Sequence, residues 1–196
     1  MLALFGEGLE TAFFPCSLVL AVPGLAVAAG GRRFSAFAIA AFATGLLVSS
    51  WLRFAGATDL WPPIIVGSGF LVASFAIARL DAGRPSLAAG GAGAAAGAAT
   101  GSLWRPCVGI EFGTVLNGMA GSGLRGGFEL AVYIVGVMAP VIAVVAVANA
   151  LPPAWIERAS KPLMWLGGGV LVILGLATIA GFDDHVISRL FELSSF

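Results

Sequence analysis

Six long apolar runs, separated by short polar or proline- and glycine-rich breaks, set the plan of this chain. The first covers about residues 8 to 29 and closes at Gly30-Gly31-Arg32-Arg33. The second covers about residues 34 to 52, before a loop through Asp59, Pro62 and Pro63. The third runs from 63 to 78 and ends in a charged stretch from Arg79 to Pro85. The fourth extends from 87 to about 120, and a glycine-rich turn (121 to 127) separates it from the fifth, about 128 to 150. Pro152-Pro153 and the charged IERASK stretch lead to the sixth, about 163 to 181. A helix rises about 1.5 Å per residue and a bilayer's hydrocarbon core is about 30 Å thick, so about 20 residues make one crossing. The pattern predicts an all-α polytopic membrane protein with six transmembrane helices in a single domain.

The fourth run is far longer than one crossing, and Pro106 predicts a break within it. Proline removes a backbone donor and clashes with the preceding turn. In hydrocarbon the freed carbonyl needs another partner, so such breaks persist only where protein or a wet cavity surrounds them. Cys107 follows the proline, Arg105 precedes it, and Glu111 lies one helical turn beyond the thiol on the same face. Gly109 stands between them.

Composition agrees with a membrane setting. The chain has 196 residues, 59% of them hydrophobic and 10% charged, with mean hydropathy +1.02. Soluble domains carry about 25% charged residues. The net charge is zero and no basic tract suggests nucleic acid. Two cysteines and one histidine, His185, form no zinc or haem attachment motif. Glu7 and Glu10 stand where a signal peptide would be basic, so the first run is expected to be a retained span. Placing the N-terminus outside puts Arg32, Arg33, Arg79, Arg84, Arg158 and Lys161 within, against Arg53, Arg125 and Arg189 without. The positive-inside rule then predicts that both termini are outside.

The halves repeat. Pro15-Cys16 and Pro106-Cys107 are offset by 91, as are Phe37 and Phe128, Phe42 and Tyr133, Gly45 and Gly136. Pro62-Pro63 and Pro152-Pro153 correspond at 90, and GSGFLV and GGGVLV are expected to open the third and sixth spans. Three spans per half require opposite entry into the membrane. Residues 1–86 and 87–196 are therefore expected to form inverted three-helix repeats, with the first and fourth helices broken at Pro-Cys. In such folds sites form near the midplane from interrupted helices.

A buried cysteine is often no more than a small hydrophobe. Here the chain's two cysteines occupy equivalent repeat positions, each after a proline. Two thiols able to form a reversible disulfide carry two electrons. Thiolate character is promoted by a nearby cation, which Arg105 can supply, and Cys107 is expected to react faster than Cys16. Glu111 either takes the thiol proton or neutralises Arg105, the pairing being favoured. Ser17 and Asn117 read as hydrogen-bonding glue between helices, and Tyr133, Gly136 and Pro140 as packing and bending positions near the same cavity.

The spans PCSLVLAVP and WRPCVGIEFG, with LAVYIVGVMAP after the second, resemble the CcdA/DsbD transmembrane family over nearly the whole chain. The resemblance implies a redox pair at Cys16 and Cys107, with Pro15 and Pro106 breaking their helices and Arg105, Gly109, Glu111 and Tyr133 in support. It implies electron transfer across the cytoplasmic (inner) membrane, from cytoplasmic thioredoxin to an extracytoplasmic thioredoxin-like partner, for cytochrome c maturation or thiol repair. It implies no cofactor and no metal. Val19 stands where the family carries a further proline. Two other classes fit the same runs: an accessory subunit of a larger membrane complex, and a small-solute or metal transporter using Cys16, Cys107 and Glu111.

Overall fold

The structure, a computed structural model, describes residues 2–13, 15–29, 36–54, 62–79, 87–103 and 123–182. All regular structure among them is helical: α1 (Leu2–Thr11), α2 (Pro15–Ala29), α3 (Ala36–Phe54), α4 (Pro63–Ala78), α5 (Leu87–Leu103), α6 (Leu124–Ala150) and α7 (Pro153–Ile179). The third apolar run, 63 to 78, forms α4, shorter than the helices long enough to cross a membrane. The first run divides at Pro15 into α1 and α2, and begins at Leu2 rather than near Gly8. The fifth starts a turn early, where Arg125 Nε meets Glu129 Oε1 at 3.2 Å across one helical turn. The sixth starts ten residues early, because the charged IERASK stretch is helical. This corrects the repeat: Gly67 lies in the second turn of α4, whereas Gly167 lies far inside α7. The double prolines do match. Pro62 and Pro152 are extended caps with ψ 142° and 141°, and Pro63 and Pro153 take the first helical position, where the missing N–H costs nothing.

Among the described residues three helices are long and apolar enough to cross a membrane: α3 over Ala36–Arg53, α6 over Leu124–Ala150 and α7 over Arg158–Ile179. Large apolar side chains face outward on the packed bundle, including Phe75 at 61%, Ile173 at 64% and Trp165 at 78% exposure. Water would penalise such a surface, and hydrocarbon does not. The described residues are all-helical, with an apolar surface suited to a lipid bilayer.

Glycine sets the closest packing. A Cβ at Gly93 would meet the carbonyl of Ala38, one at Gly97 that of Phe42, and one at Gly101 that of Leu46. Numbers rise together, so α3 and α5 run parallel with touching backbones, as small residues at four-residue spacing allow. A matching contact joins α1 to α6. A Cβ at Gly8 would meet Tyr133 O and one at Gly136 would meet Phe5 O, as one at Gly45 would meet Ala94 O. Gly45 and Gly136 are 91 apart; Gly8 and Gly97, like Phe5 and Ala94, are 89 apart. Thus α1 seats on α6 and α5 on α3 through equivalent glycine contacts. The α4–α7 pair is antiparallel: Gly67 packs on Gly175, and Ser74 Oγ donates to Gly168 O at 2.9 Å. Phe42 and Tyr133 are both fully buried in the core. An apolar groove of about 840 Å³ runs between α3, α4 and α5.

Candidate functional site at the proline breaks

In an unbroken helix the carbonyl of residue i accepts from the amide of i+4. Pro15 has no amide hydrogen, so the Thr11 carbonyl loses that partner. Ser17 Oγ replaces it, donating to Thr11 O at 2.5 Å. Around this bond α1 closes tightly, with Ala12 N donating to Gly8 O and Phe13 N to Glu10 O, both at 3.1 Å. Thr11 Oγ1 donates to Glu7 O at 2.7 Å, which commits its hydrogen. Tyr133 OH, 2.8 Å from Thr11 Oγ1, must therefore be the donor of that second bond. Ser17, Thr11 and Tyr133 are all buried. A buried hydroxyl left unpaired costs free energy, and this chain of bonds fixes where α1 stops.

The backbone of α2 places Pro15 and Cys16 as its first two residues. The amides of a first helical turn point outward without intrahelical partners, and their partial positive charge favours an anion such as a thiolate. The sequence offered Cys16 no formal charge nearby; the fold supplies a dipole instead.

In sequence Ser102 stands four residues before Pro106, as Thr11 stands four before Pro15. Arg53 Nη1, from the last turn of α3, donates to Ser102 O at 3.0 Å. Ser50 Oγ, one turn earlier on α3, is buried beside Gly101 and has no hydrogen-bond partner among the described residues. Arg105, Pro106, Cys107, Gly109, Glu111 and Asn117 lie outside the described residues.

The structure thus brings Tyr133 and Ser17 together at the first proline, in a role more specific than packing or interhelical glue. Gly136 packs α6 on α1, and Pro140 lies inside α6. Thr11, Ser102 and Arg53 were not singled out from the sequence. The first two were signalled by their place four residues before a proline. Their partners were not, because Arg53 is 49 residues from Ser102 and Tyr133 is 122 from Thr11. Among the described residues no three His, Cys, Asp or Glu side chains gather to hold a metal ion. Comparison of the chain with protein-family models, curated proteins and solved structures returns no match.

Proposed function

We propose that the chain is a membrane thiol–disulfide electron carrier acting through Cys16 and Cys107, in the manner of the CcdA/DsbD family it resembles. The observation that carries this reading is the matched seating of α1 and α5. Each rests on the buried aromatic turn of the other half's second helix, at Tyr133 and Phe42, and each runs toward a Pro-Cys pair. Parallel α3 and α5 and antiparallel α4 and α7 are the directions that six alternating crossings in two inverted halves would produce, which supports that topology.

In this mechanism a thiolate of reduced cytoplasmic thioredoxin attacks one sulfur of the Cys16–Cys107 disulfide and releases the other as a thiolate. The second thioredoxin thiol resolves the mixed disulfide. Two electrons and two protons have then moved, leaving oxidised thioredoxin and two membrane thiols. Those thiols reduce the disulfide of an extracytoplasmic thioredoxin-like partner by the same two steps. With both termini outside the cytoplasmic membrane, the supplied electrons serve cytochrome c maturation or thiol repair.

The test is a trap. A thioredoxin lacking its resolving cysteine is expected to form a mixed disulfide with the oxidised native chain, and none with Cys16→Ala or Cys107→Ala, which have no internal disulfide to attack. No adduct with the native chain, in membranes where both cysteines are intact, would refute the carrier reading and favour an accessory role.

A further inference from the structure

We propose that the α4–α7 pair carries a site for the headgroup of an anionic phospholipid, formed by Arg79, Arg158 and Lys161 beside an apolar shelf of Phe75 and Trp165. It holds whether or not the cysteines carry electrons. Gly67 packs on Gly175; seven residues further along α4, Ser74 bonds to Gly168, seven residues back along α7. Carried on by five residues, that register sets Arg79 level with Leu163. At about 1.5 Å per residue, Lys161 then stands about 3 Å away along the helix axes and Arg158 about 8 Å. By the same count Phe75 and Trp165 are level to about 3 Å.

The five side chains also share one flank of the pair. A Cβ on Gly175 would stand 3.3 Å from Leu71 Cδ2, so Leu71 borders α7. Phe75 and Arg79 continue its stripe at four-residue spacing, and both are exposed. On α7, Lys161 continues the seven-residue stripe of Gly168 and Gly175 that α4 touches. Arg158 and Trp165 stand one turn to either side of it, and all three are exposed.

The apolar stretches of both helices stop here, one ending at Ala78 and the other beginning at Arg158. That is the level at which a bilayer's hydrocarbon meets its phosphates. The Arg79 guanidinium lies over the Phe75 ring, 4.6 Å from its centroid, which draws the charge back over the apolar end of α4. Among the described residues Arg125 meets a carboxylate, that of Glu129, whereas these three cations meet none. Asp81 and Glu157 adjoin them in sequence, yet RLDAGR and IERASK each keep one net positive charge. A phosphodiester supplies the acceptor: one negative charge, with oxygens for guanidinium and ammonium donors. Its acyl chains then lie along Phe75 and Trp165. That shelf selects a lipid over a soluble anion. The net charge selects an anionic headgroup over a zwitterionic one, which brings its own cation.

The experiment titrates the full chain, delipidated in detergent, with phosphatidylglycerol or phosphatidylcholine and counts bound lipids by native mass spectrometry. The native chain should retain one phosphatidylglycerol in preference to phosphatidylcholine. Arg79→Gln, Arg158→Gln and Lys161→Gln should each weaken that retention about fivefold, the worth of one cation at an anionic surface. Each leaves two of the cations in place, so a variant that fails to accumulate leaves the other two to decide. Arg158→Lys keeps the charge and should keep most of the affinity. Trp165→Ala should weaken retention as well; no effect there would assign the cluster to a soluble anion and overturn the proposal. Arg125→Gln, at an exposed arginine of α6, should change nothing. Equal retention of the two lipids by the native chain, no loss in the three Gln variants, or an equal loss in Arg125→Gln would also overturn it. None of these outcomes bears on the thioredoxin adduct, so the redox reading stands or falls separately.

Discussion

Ser17 Oγ donates to the carbonyl of Thr11 across Pro15, so the residue that ends α1 is held by the first turn of α2. Removing that donor leaves a buried carbonyl unpaired, which costs about 1–3 kcal/mol. Ser17→Ala is therefore expected to lower stability by about that amount, and Ser17→Thr to retain most of it. Thermal unfolding of the detergent-solubilised protein measures the difference. A neutral Ser17→Ala would mean that water or another group serves Thr11 equally well.

Tyr133 and Thr11 form a second tie between helices far apart in sequence. Tyr133→Phe removes the donor yet leaves Thr11 Oγ1 bonded to Glu7 O, so a loss of about 1 kcal/mol is expected. Thr11→Val removes the acceptor. A double-mutant cycle on the two should show the second loss to be much smaller in the presence of the first. Additive losses would place their effects in packing.

The glycines divide into two sets with opposite forecasts. At Gly97 and Gly8 an added methyl group would collide with the carbonyls of Phe42 and Tyr133, so Gly97→Ala and Gly8→Ala should each destabilise by about 1–3 kcal/mol or prevent accumulation. At Gly91, on the same helix as Gly97, nothing lies within 4 Å. Gly91→Ala should be neutral, or stabilising by up to about 1 kcal/mol through helix propensity. Expression level and thermal midpoint in a matched set would decide, and equal effects at Gly91 and Gly97 would contradict the α3–α5 interface.

If Cys16 and Cys107 act as a pair, their Cα atoms approach within about 7 Å when oxidised. Mild oxidation should then yield one intramolecular cross-link, visible after proteolysis as a joined peptide of the two Pro-Cys segments. A protein that keeps both thiols alkylatable after oxidation contradicts the pairing.

Orientation has its own assay. Single cysteines introduced near Arg32 and Arg158, in a background without the native two, should react with impermeant reagents from the cytoplasmic side alone. Those near Asp184 should react from outside. Both sets reacting from one side would reverse the reading of the basic residues.

Element type was written in the apolar runs, and α4 matched to the residue because Pro63 starts it and the polar stretch after Ala78 ends it. The start of α7 was not legible. IERASK is charged and reads as a loop, yet such residues form a helix readily once Pro153 has set its first turn. The break at Pro15 followed from proline's missing amide. What satisfied it did not: a neighbouring serine is within reach of local reasoning, whereas Arg53 reaches Ser102 only through the parallel packing of α3 on α5. That packing was encoded in the spacing of Gly93, Gly97 and Gly101, which fixes how closely a partner approaches but not which helix it is.

The seating of α1 on α6 has a consequence for synthesis. Thr11 leaves the ribosome 122 residues before Tyr133 does. At about 5–20 residues per second, roughly 6–24 s pass before the hydroxyl that latches α1 exists. Throughout that interval the first opening helix has no glycine-lined surface to rest on and no donor for Thr11 Oγ1. The nascent chain must therefore hold α1 in the insertion machinery or against lipid until α6 arrives. A chain arrested on the ribosome before α6 should leave α1 open to protease or chaperone, whatever α2 to α5 have already achieved.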